Sequence, residues 1–132
     1  RLLACDTGLD ITLIPPTSHE EILRLHGRAR ISIGLSLSDG ISTSFLEALV
    51  MGSFPIQSNT SSAGEWIRDG QTGILVPPED PEPVAAAIRR AATDDALVDR
   101  AAEANAATVT ERLDVAVLRP RAVAFYQDLR RR

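Results

Sequence analysis

From Ser36 to Gly52 the chain runs out of a hydroxyl-rich turn into a helix that is apolar almost all round yet carries an acid. Phe45, Leu46, Ala48, Leu49, Val50 and Met51 leave the helix no solvated face, so it is expected inside the domain. Glu47 sits in the middle of them. A carboxylate in such company costs several kcal/mol, roughly, unless a polar partner meets it. Two readings stand side by side: a structural acid satisfied by backbone N–H groups or an Arg, or an acid kept for a ligand. The turn ahead of it bears on that choice. Gly40 to Ser44 would offer free backbone N–H groups and the positive end of a helix dipole, which together attract an anion. Plain N-capping by Ser42, Thr43 or Ser44 is the simpler alternative. Gly52 supplies a left-handed stop, with Pro55 just beyond it.

Around this stretch the pattern alternates. Residues 1–7 read as a helix tail halted by Gly8, and Leu9–Ile14 reads as a β-branched strand closed by Pro15 and Pro16. Ser18 and Glu21 form a capping box for a helix with Ile22, Leu25, His26 and Ala29 on one face, weakened by Gly27. His26 on that face is read as a packing residue, and exposed His19 is given no chemistry. Ile31–Ser36, Phe54–Ser58 and Ile74–Val76 are further strands, with a short helical turn at Glu65, Trp66 and Ile67. Asp80 caps a helix that has Pro81 first and Val84, Ile88 and Ala91 inward. After a break at Thr93 and Asp94, an Ala-rich helix runs to about Thr108. A last helix, with Val117, Phe125 and Leu129 packed, must kink or restart at Pro120. Strands alternating with helices mean an α/β domain with a Rossmann-like parallel sheet and flanking helices. Such sheets bind ligands beyond the carboxyl ends of their strands, which is where Ser36 to Thr43 falls.

Composition narrows the function. At 132 residues, 44% hydrophobic and 24% charged, the chain has the make-up of one globular domain or part of one. A net charge of −4 argues against a nucleic-acid partner. All 14 basic residues are Arg, which excludes a Schiff-base or phosphate-loop Lys. The single Cys5 forms no internal disulfide, no metal-ligand spacing is present, and no apolar run is long enough for a membrane span. A cytoplasmic location is expected, at the inner membrane face if the Arg130 to Arg132 tail touches anionic lipid. With Arg1 rather than Met at the start, the chain is taken as a piece of something longer.

Two blocks carry a family resemblance. The first is Leu35 to Ser42 followed by Glu47 to Ile56, in which Asp39 and Glu47 stand with seven residues between them. The second runs from Glu65 to Pro81, with Asp69-Gly70, Thr72-Gly73 and Leu75 to Pro78 in order. Over about residues 9–93 the sequence resembles the C-terminal, donor-binding domain of GT-B-fold retaining glycosyltransferases of family 4. The first block is similar to that family's Pro-Ser-x-x-Glu-Gly-Phe-Gly and Glu-Ala-x-x-x-Gly-x-Pro-Val-Ile.

The resemblance implies the C-terminal half of a GT-B fold, with a core over 9–93 and C-terminal helices over 94–132. It implies that Glu47 binds the ribose hydroxyls of a nucleotide-diphosphate sugar. Ser36 and the amides of Gly40, Ile41, Ser42 and Thr43 would hold the diphosphate or sugar, Asp39 would be the catalytic residue, orienting the sugar ring through its hydroxyls, and Ile14 and Pro15 would bracket the base. No cofactor and no metal are implied. Asp39 for Glu, Ile41-Ser42 for Phe-Gly and Leu35 for Pro point to a subgroup with its own donor sugar. The charges that neutralise the diphosphate, and the N-terminal acceptor domain, lie elsewhere in such enzymes, so this piece alone is expected to bind nucleotide weakly and lack transferase activity. Two strands of the family's sheet would lie between Leu9–Ile14 and Ile31–Ser36. The chain must therefore pair those two directly, swap strands in a homodimer, or leave an exposed edge. Rival functions are a nucleotide-sugar epimerase of the same fold and a non-catalytic binding half-domain.

Overall fold

The computed structural model describes residues 8–131. The expected helix tail over 1–7, with Cys5, and the last residue of the arginine tail lie outside them. Helix α1 (His19–Arg28) leads to strand β1 (Ile31–Gly34), helix α2 (Thr43–Val50), strand β2 (Phe54–Ser58), a 3-10 turn (Ser62–Glu65) and strand β3 (Ile74–Val76). Helices α3 (Pro81–Thr93), α4 (Asp95–Leu113) and α5 (Val115–Leu129) complete it. The sheet is parallel in the order β1-β2-β3, with Ile31 opposite Phe54 and Ile56 opposite Ile74. Helices cover it, as the alternating pattern requires.

Period-two alternation divides the core. Phe54 and Ile56 of β2 and Val76 of β3 pack with Ala87 and Ala91 of α3 and Leu97 and Ala101 of α4. A second cluster joins Phe45 and Leu49 of α2 to Ala63 and Ile67, with Leu75 of β3 and Val109 of α4 against it. Full burial of Phe54, Leu49 and Ile56 contributes about 1.5–3 kcal/mol per side chain.

Local punctuation matches the chemistry that demands it. Ser18 Oγ accepts from the Glu21 amide and Asp80 Oδ1 from the Glu82 amide, with Pro81 in the first turn of α3. Gly52, at φ +83°, closes α2: its amide donates to Leu49 O and the Ser53 amide to Ala48 O. Gly27 lets α1 lie close to α2, since a Cβ there would stand 2.9 Å from Met51 Cε.

Six expectations are corrected. Leu9–Ile14 is not a strand: it pairs with nothing, and Leu9, Ile11, Leu13 and Ile14 are exposed, because β-branched residues make a strand only beside a partner. Among the described residues β1 is therefore an open edge. Helix α2 is not wrapped on every side, for Val50 and Met51 are exposed while Phe45, Ala48 and Leu49 are buried. Ile88 stands at the rim of α3, whose inner row is Val84, Ala87 and Ala91. Phe125 and Leu129 are exposed, because α5 packs chiefly on α4; the Phe125 ring meets that of Tyr126 edge to face. The Ala-rich helix runs past Thr108 to Leu113, held there by Val109 in the second cluster and by Arg112 over the Trp66 ring at 3.7 Å. The restart falls at Asp114, which caps Ala116, and Pro120 sits inside α5.

Candidate functional site

At the carboxyl ends of β1 and β2, the crest of the sheet, the chain turns away, and the two turns are fastened together. Thr60 Oγ1 donates to Ser36 O at 2.7 Å, and the Ser62 amide donates to Gly40 O at 2.9 Å. These bonds hold the Ser36 to Ser42 turn over the start of α2. Among the described residues the amides of Gly40, Ile41, Ser42 and Thr43 donate to nothing. Ser42 occupies the N-cap position but its hydroxyl makes no cap bond, and Ser44 Oγ is engaged by His26. Plain capping is thus set aside for Ser42 and Ser44, and the positive end of α2 is left open.

A cavity of about 130 Å³ lies under this turn. Of the expected site residues it gathers Ser36, Asp39, Ile41 and Ser42. Asp39 has no hydrogen-bond partner among the described residues. Gly40, Thr43 and Glu47 are outside the lining, and Ile14 and Pro15 are exposed in the unpaired segment away from it.

Glu47 faces α1. His19 Nε2 donates to Glu47 Oε1 at 2.7 Å, the acid side chain being 19% exposed and the imidazole 69%. Among the described residues neither a backbone amide nor an Arg meets the acid. Seven residues along α1, His26 sits half-buried, its Nδ1 bonded to Ser32 Oγ at 3.1 Å and its Nε2 to Ser44 Oγ at 3.2 Å. Ser32 Oγ continues to the buried Ser53 Oγ at 2.8 Å. The packing role read for His26 is what this shows, though the ring also walls the cavity. His19, given no chemistry from sequence, is the partner of the central acid.

Sequence reasoning missed two further walls of the cavity, Gln57 and Ser58 at the end of β2. The available signal was Gly34, a glycine within a strand, which marks close approach by a neighbour. Among the described residues no group of three or more His, Cys, Asp or Glu is placed to hold a metal ion, and no helix is long and apolar enough to cross a membrane.

Comparison with known proteins fits this geometry. The family model for glycosyl transferases group 1 matches residues 1–108. A D-inositol 3-phosphate glycosyltransferase of Nocardioides sp. is 31% identical over 108 residues, 76% of this chain and 24% of that protein. The chain thus spans about a quarter of that relative's length. Among solved structures, a sucrose-phosphate synthase from Thermosynechococcus elongatus matches with a TM-score of 0.86 at 21% identity, over 97% of this chain and 32% of that one. Anabaena HepE, crystallised in complex with UDP, matches with a TM-score of 0.74 at 18% identity, over 80% of this chain and 29% of that one. The architecture is the Rossmann-like one of the GT-B fold.

Proposed function

This chain belongs to the glycosyl transferases group 1 family, and on that footing we propose that its crest binds the donor, a nucleotide-diphosphate sugar, for a retaining glycosyl transfer. The observation that carries the reading is the conjunction at one strand end: amides from Gly40 to Thr43 and a carboxylate at Asp39 that are unpaired among the described residues, and a hydroxyl-lined cavity beneath them. Amides at a helix start stabilise the negative charge that grows on a departing diphosphate. Asp39 orients the sugar through its hydroxyls. Glu47, held by His19, turns to the ribose. Ile14 and Pro15 bracket the base.

Because the bond at the anomeric carbon breaks toward the diphosphate and the acceptor enters on the same face, configuration is kept. In this reading the acceptor site and the basic groups that neutralise the diphosphate belong to the rest of an enzyme of which the chain spans about a quarter, as it does of its relative, and this chain alone binds donor without turning it over. A cytoplasmic enzyme of polysaccharide biosynthesis is the setting we assign. The test is a panel of UDP-, ADP- and GDP-sugars offered to the full-length protein, with the product's anomeric configuration read by NMR. Retention with any donor supports the reading. Turnover without an acceptor points instead to an epimerase, and no heat of binding with any of them contradicts it.

A further inference from the structure

We propose that Gln57 selects the transferred sugar, its side-chain amide meeting one ring hydroxyl as donor and acceptor together, and that Gly34 is the residue that admits it. The inference rests on the reading above, that the crest binds a nucleotide sugar. Gly34 and Gln57 stand opposite each other in the parallel register of β1 and β2. Gln57 lies across Gly34 so closely that a Cβ there would sit 2.6 Å from its Oε1 and 3.0 Å from its Nε2. Gln57 as a residue is 6% exposed, and its amide, on the wall of the cavity, is hydrogen-bonded to nothing among the described residues. Next to it Ser58, 1% exposed, leaves its Oγ without a partner as well. Buried hydroxyls are ordinarily satisfied, so the unpartnered Ser58 Oγ, with the unengaged Gln57 amide beside it on the same cavity, marks the place of something that fills it.

The cavity's size and charge say what. Its roughly 130 Å³ is about ten times the space that one water needs. Its walls carry one carboxylate, Asp39, no Arg, and a His26 ring whose two nitrogens are already engaged. Ser36, Ser42 and Ser61 add hydroxyls around it. Neutral donors and acceptors with a single acid suit a hydroxylated ring and not a second anion. The phosphates then belong above, on the free amides of α2. An amide that both gives and takes a hydrogen bond discriminates strongly between a hydroxyl presented to it and one turned away.

Calorimetry on the full-length protein decides it, with UDP, ADP and GDP and with UDP-glucose, UDP-galactose, ADP-glucose and GDP-mannose. The readout is the affinity gained by the sugar over its bare nucleotide. Gln57→Leu keeps the volume and removes the amide; Gly34→Ala keeps the amide and displaces it, since the atoms met by the new methyl are the far end of a flexible side chain. Both variants are expected to lose about tenfold of the sugar increment, the worth of one hydrogen bond, with bare-nucleotide affinity held within about threefold. An unchanged increment, or equal losses for sugar and bare nucleotide, overturns the assignment while leaving nucleotide binding intact. Bare nucleotides that bind no more weakly than any of their sugars overturn it too. Absence of all binding in the wild-type protein removes the underlying reading together with it. Should Gly34→Ala fail to fold, Gln57→Leu alone decides between these outcomes.

Discussion

His19 Nε2 stands 2.7 Å from Glu47 Oε1, so the acid at the centre of α2 is tied to the first turn of α1 and not to the sheet. That places Glu47 on the flank of the crest, away from the cavity lined by Asp39. A carboxylate oxygen remains free to accept from ribose hydroxyls while the other is held. Glu47→Ala in the full-length protein is expected to weaken nucleotide-sugar binding about tenfold or more, measured by calorimetry. His19→Ala, which removes a partly exposed pair, should cost less than about 1 kcal/mol in stability by denaturant titration.

Gly73 gives a test of packing. A Cβ there would come within 2.6 Å of Ile67 Cδ1, 2.8 Å of Pro55 Cγ and 3.0 Å of the Pro55 carbonyl oxygen. Backbone cannot swing aside, so Gly73→Ala should lower stability by about 1–3 kcal/mol. At Gly64 the nearest atom would be Leu75 Cδ1 at an ordinary 3.5 Å. Gly64→Ala is expected to fold with the wild-type urea midpoint or close to it.

Asp94 serves two helices. It ends α3, with its amide donating to Arg90 O, and begins α4, its Oδ1 accepting from the Leu97 amide at 2.9 Å. Asp94→Ala should destabilise by about 0.5–2 kcal/mol, and Asp94→Asn by less, since Asn caps nearly as well. Thermal unfolding followed by circular dichroism reads both.

The open edge of β1 and the exposed apolar Leu9, Ile11, Leu13, Ile14 and Ile33 make the isolated chain prone to pair with a second copy. Light scattering of the 132-residue chain at micromolar concentration should return a mass above its 14.2 kDa. Replacing Leu13 and Ile33 by Lys should bring the mass down to that of one chain.

What the sequence made legible was whatever is decided within a few residues. Ser18, Asp80 with Pro81, and Gly52 mark helix ends through bonds to their own neighbours, and each does so in the structure. Phe54–Ser58 and Ile74–Val76 are strands with the expected bounds. The turn from Ser36 to Thr43 stands at a strand end, as the topology requires. Contacts between distant elements could not be read. Leu9–Ile14 has every local mark of a strand and lacks only a partner. Ile88, Phe125 and Leu129 have the spacing of core residues, but what lies opposite them is set by how α3 and α5 dock. The bond from His19 to Glu47 joins residues that no periodicity relates. Gln57 reads as one more residue of a buried strand until Gly34 is placed beside it.

Where a nucleotide sugar binds is the central claim, and a crystal of the full-length protein soaked with the donor it turns over measures that directly. The diphosphate is expected about 3 Å from the amides of Gly40 to Thr43, with the sugar in the cavity beside Asp39 and the ribose within reach of Glu47. Density for the nucleotide at any other place, with those amides still bare, would contradict it.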